Sequence, residues 1–469
     1  MRRLLAWCAV VASGLAVSVG SVQAQSASAV QKVKGPDERM KADILVVVAH
    51  PDDEGGVTPY LARAIYDQHK RVAVVFATRG GSGGNDYSRE HGPALADIRE
   101  QEARAACAKL GITNVWFLEG KDTASQNVLN SLANWGHGAN LEALVRIVRL
   151  TRPEVIITWL PGIFIGENHG DHQAAGVLAT EGFDLANNPT AFPAQVAGAT
   201  KRLEAYLENL TPWQPKKLYF FSDAEDQKQF DGTGPAYSIK EISPSQKKSY
   251  WQLALEAAAP HLTQFPQAQE LQKMTDEQLK KFMEDPNNMF WPEPMTLIFG
   301  KAAVQTKSAD GVFANMNSAA FQAPATVSPA AQAGRTWLEL GGPWLYYDRF
   351  RPLHHLDQLK ATGVPEIGIK AGAGLLVPLT VFHRDGEPIE VEITVTAPSG
   401  WKVMAGTGKL SLSEESRSDL FVEIATPELT KEELKKVTAQ ELIVRGSVAG
   451  KSIGEVRLMV KLRASALAQ

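Results

Sequence analysis

The strongest constraint on the fold is an alternation running from residue 41 to residue 185, in which short apolar runs take turns with longer stretches of helical period. Residues 44–48, 72–77, 115–118 and 155–159 read as strands, and 58–69, 95–110, 141–150 and 173–185 read as helices. A strand that is apolar at nearly every position must be covered on both faces. Strand–helix–strand order achieves this with a mainly parallel sheet flanked by its own crossover helices. The expected class of the first half is therefore α/β. In open sheets of this kind the ligand crevice lies outside the carboxyl ends of the strands, so the loops after Val48, Ala77, Leu118 and Trp159 are expected to line one mouth.

Beyond residue 200 the rhythm loosens, leaving a short strand at 218–221 and a charged helical stretch around 275–283. Residues 307–334 are rich in Ala, Ser and Pro, the composition of a linker or a long surface excursion. The period then changes to two. Ile389, Val391, Ile393 and Val395 alternate with Glu390, Glu392, Thr394 and Thr396, and Asp385-Gly386 just ahead of them is a hairpin signal. With further strands expected at 375–382, 420–424, 442–448 and 455–462, the tail reads as an all-β, Ig-like sandwich of about 100 residues. The expected divisions are a flexible lead-in at 25–40, an α/β domain at 41–305, a linker and irregular excursion at 306–365, and the sandwich at 366–464.

Met1-Arg2-Arg3, the apolar run 4–19 and the small-residue end Val22-Gln23-Ala24 have the three parts of a secretory signal peptide, with cleavage expected after Ala24. The expectation is an exported protein, periplasmic or secreted. A membrane anchor is the rival, but Ser13, Gly14, Ser18, Gly20 and Ser21 interrupt the run, and no later stretch reaches the roughly 18 apolar residues of a membrane span. Removal of the signal takes Cys8 with it, so Cys107 is left alone, without a disulfide partner and inside a helical pattern that suits a buried thiol. Cleavage also moves the formal charge from -4 to about -6, which predicts no nucleic-acid partner. The oligomeric state is not encoded in any of these features.

The loop after the first strand reads His50-Pro51-Asp52-Asp53-Glu54-Gly55-Gly56. His50 and Asp53 are three apart, so a helical turn starting here projects both toward a single ion. Asp52 then lies beside the ion without repeating the role of Asp53, which suits a general base acting on water. The loop after Trp159 supplies Glu167-Asn168-His169-Gly170-Asp171-His172, again with two imidazoles three apart, immediately before an apolar helical pattern. Two imidazoles and a carboxylate leave the fourth position of a tetrahedral zinc open, as catalytic sites do. Spacing alone does not choose between His169 and His172. Each half also has a plainer reading, as a turn with an Asp helix cap or as polar residues at a helix start. Taken together, at strand ends that share a crevice, they point to a catalytic metal centre.

With these residues in view, the sequence resembles the PIG-L or LmbE-like deacetylases, which remove N-acetyl groups from N-acetylglucosamine-type amino sugars. The resemblance rests on Ala49-His50-Pro51-Asp52-Asp53-Glu54 and His169-Gly170-Asp171-His172, reinforced by Thr78-Arg79-Gly80-Gly81, Arg99-Glu100-Gln101-Glu102 and Leu110-Gly111. It covers about residues 44–186, with weaker likeness at Leu218-Tyr219-Phe220. It implies a Rossmann-like three-layer fold and zinc, or another divalent transition metal, held by His50, Asp53 and His172. It further implies Asp52 as general base and His169 as the residue that protonates or stabilises the tetrahedral intermediate, with Asp171 orienting His169. Arg99 resembles a substrate contact, although an intrahelical pair with Glu102 would occupy it equally well. Gly170 stands where the family often has proline, so a looser backbone is expected there.

The remaining signals are weaker. The loop 80–85 is glycine-rich but lacks the Lys-Ser/Thr of a phosphate-binding loop, and reads as a mobile rim. His91, Trp135 and His137 have either a place near the mouth or a packed or solvent-facing one, and the adjacent His354 and His355 diverge. The tail resembles sandwich modules appended to carbohydrate-active enzymes, with Trp401 either stacking on a sugar or sitting in the core. The expected function is a zinc-dependent hydrolase that removes the N-acetyl group from an amino sugar, free or within a glycan. Its rivals are a zinc amidase or esterase acting on a non-sugar acyl substrate, and a non-catalytic glycan-binding protein, against which the intact set of His50, Asp52, Asp53, His169 and His172 speaks.

Overall fold

The computed structural model describes residues 37–163, 169–198, 207–222, 233–265, 267–271, 273–285, 290–321, 335–360 and 363–464. The expected signal peptide, most of the lead-in, and Glu167 and Asn168 lie outside them.

In chain order the first unit comprises β1 (Ile44–Val48), α1 (Thr58–Tyr66), β2 (Val72–Phe76), α2 (Pro93–Lys109), β3 (Asn114–Phe117), α3 (Val128–Trp135), α4 (His137–Thr151), β4 (Val155–Trp159), α5 (Gly170–Leu185), β5 (Lys217–Phe221), β6 (Ala236–Tyr237), α6 (Tyr250–Ala258), α7 (Ala268–Leu271), α8 (Asp276–Glu284), β7 (Met295–Thr296) and β8 (Ile298–Ala302). The main sheet has the order β3-β2-β1-β4-β5-β8, parallel throughout except for β8. Every residue of β1, β2, β4 and β5 is buried, which explains why these runs carry no polar alternation. The chain winds outward from β1 through β2 to β3, then returns to the other side of β1 to lay down β4. That reversal opens a crevice at the carboxyl ends of β1 and β4. The loops leaving these two strands carry the His50 and His169 segments.

The second unit contains β9 (Thr336–Leu340), α9 (Gly342–Leu353), β10 (Glu366–Lys370), β11 (Gly374–His383), β12 (Ile389–Thr396), β13 (Lys402–Ala405), β14 (Gly408–Leu412), β15 (Arg417–Ala425), α10 (Lys431–Leu434), β16 (Gln440–Val448) and β17 (Lys451–Arg463). A five-stranded sheet, β10-β17-β16-β12-β14, and a four-stranded sheet, β13-β15-β11-β9, share a core that includes Leu338, Val377, Val391, Val422, Val444 and Leu458. This is the expected β-sandwich. In β12 the alternation works as read, with Val391 and Ile393 buried and Glu390 and Glu392 exposed.

Three sequence expectations change. Asp385-Gly386 does not close a hairpin, because β11 and β12 belong to different sheets; the turn carries the chain across the sandwich, and Asp385 pairs with Arg335 at 2.8 Å. Residues 336–353, assigned to an irregular linker, instead form β9, an edge strand beside β11, and the helix α9. α3 and α6 were not anticipated, and both help to position the site. Trp401 is in the sandwich core, and Cys107 is a buried free thiol on α2.

Candidate active site

The turn after β1 is held by one carboxylate. Asp53 Oδ2 accepts from the backbone N–H groups of Ala49 and His50, each at 2.9 Å, and from Trp159 Nε1 at 2.8 Å. Its other oxygen, Oδ1, lies 3.2 Å from His172 Nε2 and 3.6 Å from His50 Nδ1. Burial alone would raise the pKa of Asp53, but the His172 and His50 imidazoles outweigh it and hold the carboxyl well below the usual range. Trp159, at the last position of β4, also stacks on His172 with ring centroids 4.1 Å apart and planes 5° from parallel. One indole therefore fixes both a carboxylate and an imidazole.

α5 delivers the other half. His169 is its N-cap, accepting the Asp171 N–H at Nδ1 over 3.3 Å, so the neutral ring carries its hydrogen on Nε2. His172 follows one turn later, 4.1 Å from His169 between ring centroids, and side-chain nitrogens of His50, His169 and His172 lie within 4.8 Å of one another. Burial, then the proximity of His172 and His50, pushes His169 down to about 3.

Asp171 does not take its expected place. Its carboxylate turns to His50, with Oδ2 at 3.2 Å from Nε2 and also accepting the Thr123 N–H at 2.7 Å. Only its backbone reaches His169. A carboxylate on His50 Nε2 keeps a hydrogen there, so Nδ1, which faces Asp53, is the nitrogen that would give up its proton to a bound cation. Despite burial, Asp53 and Asp171 hold His50 well above its ordinary pKa.

Asp52 adopts φ 110° and ψ −24°, a left-handed conformation that is costly for any residue but glycine. The strain is held from behind. Glu54 Oε2 accepts the Asp52 N–H at 3.1 Å, while Glu54 Oε1 meets His261 Nε2 at 2.7 Å in a buried pair, and Gln264 donates to the Pro51 carbonyl. Burial first, and then the charge of Asp53, pushes Asp52 up to about 7. Asp52, Asp53, Trp159 and His172 line a cavity of about 480 Å³, together with His261, Phe265, Phe290 and Trp291.

His261, Gln264 and Trp159 were missed in the sequence. Trp159 is a polar-tipped aromatic ending a β-branched strand exactly where the crevice opens, and that was a usable signal; His261 lies 207 positions from its partner and has none. Arg99 does not form the intrahelical pair with Glu102. It is buried and donates to the carbonyls of Gly80 (2.7 Å) and Gly84 (2.5 Å), while Glu102 accepts from Thr263 instead. The glycine-rich rim is therefore pinned by Arg99 rather than free. Gly170 is not loose either: it is buried, donates to the Ser125 carbonyl at 2.7 Å, and a Cβ there would lie 2.6 Å from Ser131 Oγ. Trp135 is buried, His91 exposed, His137 paired with Glu181, and His354 paired with Asp184.

The donor set fits a divalent metal. Three imidazoles and a low-pKa carboxylate converge, Asp53 keeps one oxygen clear of backbone bonds, and His172 Nδ1 is buried without a hydrogen-bond partner among the described residues.

Residues 45–183 match the family model described as PIG-L: GlcNAc-PI de-N-acetylase. A Frankia alni protein named 1D-myo-inositol 2-acetamido-2-deoxy-alpha-D-glucopyranoside deacetylase 1 is 34% identical over 188 residues, covering 36% of this chain and 59% of the relative. A Thermobifida fusca deacetylase named for the same compound is 25% identical over 256 residues, covering 47% of this chain and 82% of the relative. The match to the two Frankia relatives spans 59% and 57% of their lengths. Among solved structures, the N,N'-diacetylchitobiose deacetylase of Pyrococcus horikoshii aligns over 55% of this chain and 84% of its own, at 19% identity and a TM-score of 0.37. Residues 45–183, which carry the strands β1 to β4 and present His50, Asp53, His169 and His172, thus form a PIG-L domain.

Proposed function

We propose that this chain is a metal-dependent hydrolase that removes the acetyl group from the nitrogen of an N-acetylglucosamine-type amino sugar, free or within a glycan. The observation that carries this reading is the convergence of His50, Asp53, His169 and His172 beside Asp52. The relatives' names support the amino sugar, since they describe deacetylases of a 2-acetamido-2-deoxyglucopyranoside.

His50 Nδ1, Asp53 Oδ1 and His172 Nε2 are the atoms that would hold the ion, with zinc the first choice for this donor set. When bound, such an ion supplies Lewis acidity to the carbonyl and makes water a better nucleophile near neutral pH. Asp52 takes the proton of the attacking water, and with a pKa near 7 it can both accept that proton and pass it to the departing nitrogen. His169 enters neutral and offers Nε2–H to the carbonyl oxygen as negative charge develops there. The amine and acetate leave with the hydrogens of one water between them.

The full chain should release acetate from N-acetylglucosamine derivatives, lose that activity to a chelator and regain it with zinc. Acetate release indifferent to chelation would remove the metal from the reaction. The apolar walls Phe265 and Phe290 favour keeping non-sugar amides and esters in the same panel, and turnover of those alone would move the site to that second reading.

A further inference from the structure

We propose that the cleft between the two units binds the glycan carrying the reacting amino sugar, which makes the β-sandwich part of the substrate site. This rests on the deacetylase reading. The cleft encloses about 890 Å³, a volume inside the ~300–1,000 Å³ range of ligand sites. One wall comes from the α/β unit, through Asn127 and Asn130 at the start of α3. The facing wall comes from Trp344 and Tyr346 on α9 and from Leu376 and Phe421 on β11 and β15.

The chemistry of the lining selects the ligand class. Leu376 and Phe421 are 59% and 56% exposed, an unusual cost for large apolar side chains facing water in one cleft. Trp344 and Tyr346 add half-buried rings, while the side-chain amides of the α3 wall and the charges of Arg349 and Asp419 lie on the same surface. A pyranose has apolar C–H faces and a rim of hydroxyls, so it can use both kinds of group at once. A wholly apolar occupant would strip water from the amides and charges without replacing their hydrogen bonds.

One wall of the cleft is also bonded to the catalytic turn. The segment leading into α3 is bonded to the first turn of α5 at three points: Thr123 N–H to Asp171 Oδ2 (2.7 Å), Gly170 N–H to the Ser125 carbonyl (2.7 Å), and Gln173 Nε2 to the Gln126 carbonyl (3.1 Å). His169 and His172 sit on that turn, and Gln126 and Asn127 already line the cleft. A sugar chain leaving the reacting residue over this segment would enter the space between the units. The family match ends at residue 183, and the aromatic wall lies beyond it, so this cleft is built by joining the sandwich to the family domain.

The test compares N-acetylglucosamine with its β-1,4-linked tetramer on the metal-loaded full chain, using wild type and the Leu376→Ser/Phe421→Ser double variant. Both substituted side chains are exposed, and a thermal melt checks that the variant folds. The expected result is a kcat/KM about tenfold higher for the tetramer, an advantage lost in the variant while monosaccharide turnover is unchanged. Equal turnover of tetramer and monosaccharide by wild type, or an equal loss of both in the variant, would overturn the proposal. If neither sugar yields acetate, it is the deacetylase reading that fails, and calorimetric titration of the tetramer into the Asp52→Asn chain then decides the cleft by itself. Binding weakened about tenfold by the double substitution supports it; no binding, or binding that the substitution leaves unchanged, overturns it.

Discussion

Asp53 divides its two oxygens between structure and chemistry, and Trp159 is what makes the division possible. With Oδ2 saturated by two backbone N–H groups and the indole, only Oδ1 is left to face His50 and His172. Trp159→Phe keeps an aromatic ring on His172 but removes that donor. Zinc affinity, measured by competition with a chromophoric chelator, should fall roughly 10-fold or more. Asp171→Asn should act through the same quantity, again about 10–100-fold, because its carboxylate orients His50. If Asp171 served His169 instead, zinc affinity would hold and only turnover would suffer. Asp52→Asn should do the reverse of both: zinc binding is retained and kcat falls by about 10²-fold or more, read from acetate release. At this scale the sequence was legible wherever side-chain spacing carries meaning, as in His50 with Asp53. It was silent on the direction a buried carboxylate takes, and the Asp171 carboxylate turns to His50 rather than to His169.

At the scale of elements, the site exists because two loops leave neighbouring strands at the point where strand order reverses. That was readable, since four fully apolar runs separated by helical patterns admit few arrangements other than a parallel sheet. The supports of the turn were not. Glu54 passes as a turn residue in the sequence, yet it locks the strained Asp52 conformation and is buried against His261 from the segment after α6. Glu54→Ala leaves that imidazole buried without its carboxylate, which should cost about 3–5 kcal/mol. Urea unfolding should show the loss in the midpoint. α5 is tightened by a different device: a Cβ at position 170 would press on Ser131 Oγ at 2.6 Å and on the Ser125 carbonyl at 2.8 Å. Gly170→Ala should therefore destabilise by about 1–3 kcal/mol, despite alanine's better helix propensity. A proline there would also remove the N–H that donates to the Ser125 carbonyl.

Across the whole molecule the two cores are tied together by α9. Tyr347 and Phe350 pack into the first core, Trp344 packs against the second, and the Tyr347 hydroxyl donates to Gln173 on α5 at 3.0 Å. Composition pointed to a linker here because Gly-Gly-Pro and the Ala/Ser/Pro tract precede and open the helix, and a helix that divides its apolar residues between two cores shows no single stripe. Beneath it, Asp184 at the end of α5 gathers Lys301 of β8 at 2.5 Å and His354 beyond α9 at 2.7 Å, while Lys301 also donates to the His354 carbonyl. Three elements distant in sequence thus meet on one carboxylate. Burial works against its ionisation, but the His354 hydrogen bond and the Lys301 charge outweigh it and hold Asp184 below the usual carboxylate value. The sign follows from linkage: a folded-state pKa below the unfolded one stabilises above about pH 3.9 and is lost as pH falls through the folded value. Asp184→Asn should therefore lower the melting temperature at pH 6 to 7, and the gap from wild type should narrow progressively below about pH 4. Melts followed across that range by circular dichroism test the link between the units directly: a gap that stays constant down to acid would mean that the carboxylate's charge is not what holds α9 to the α/β unit.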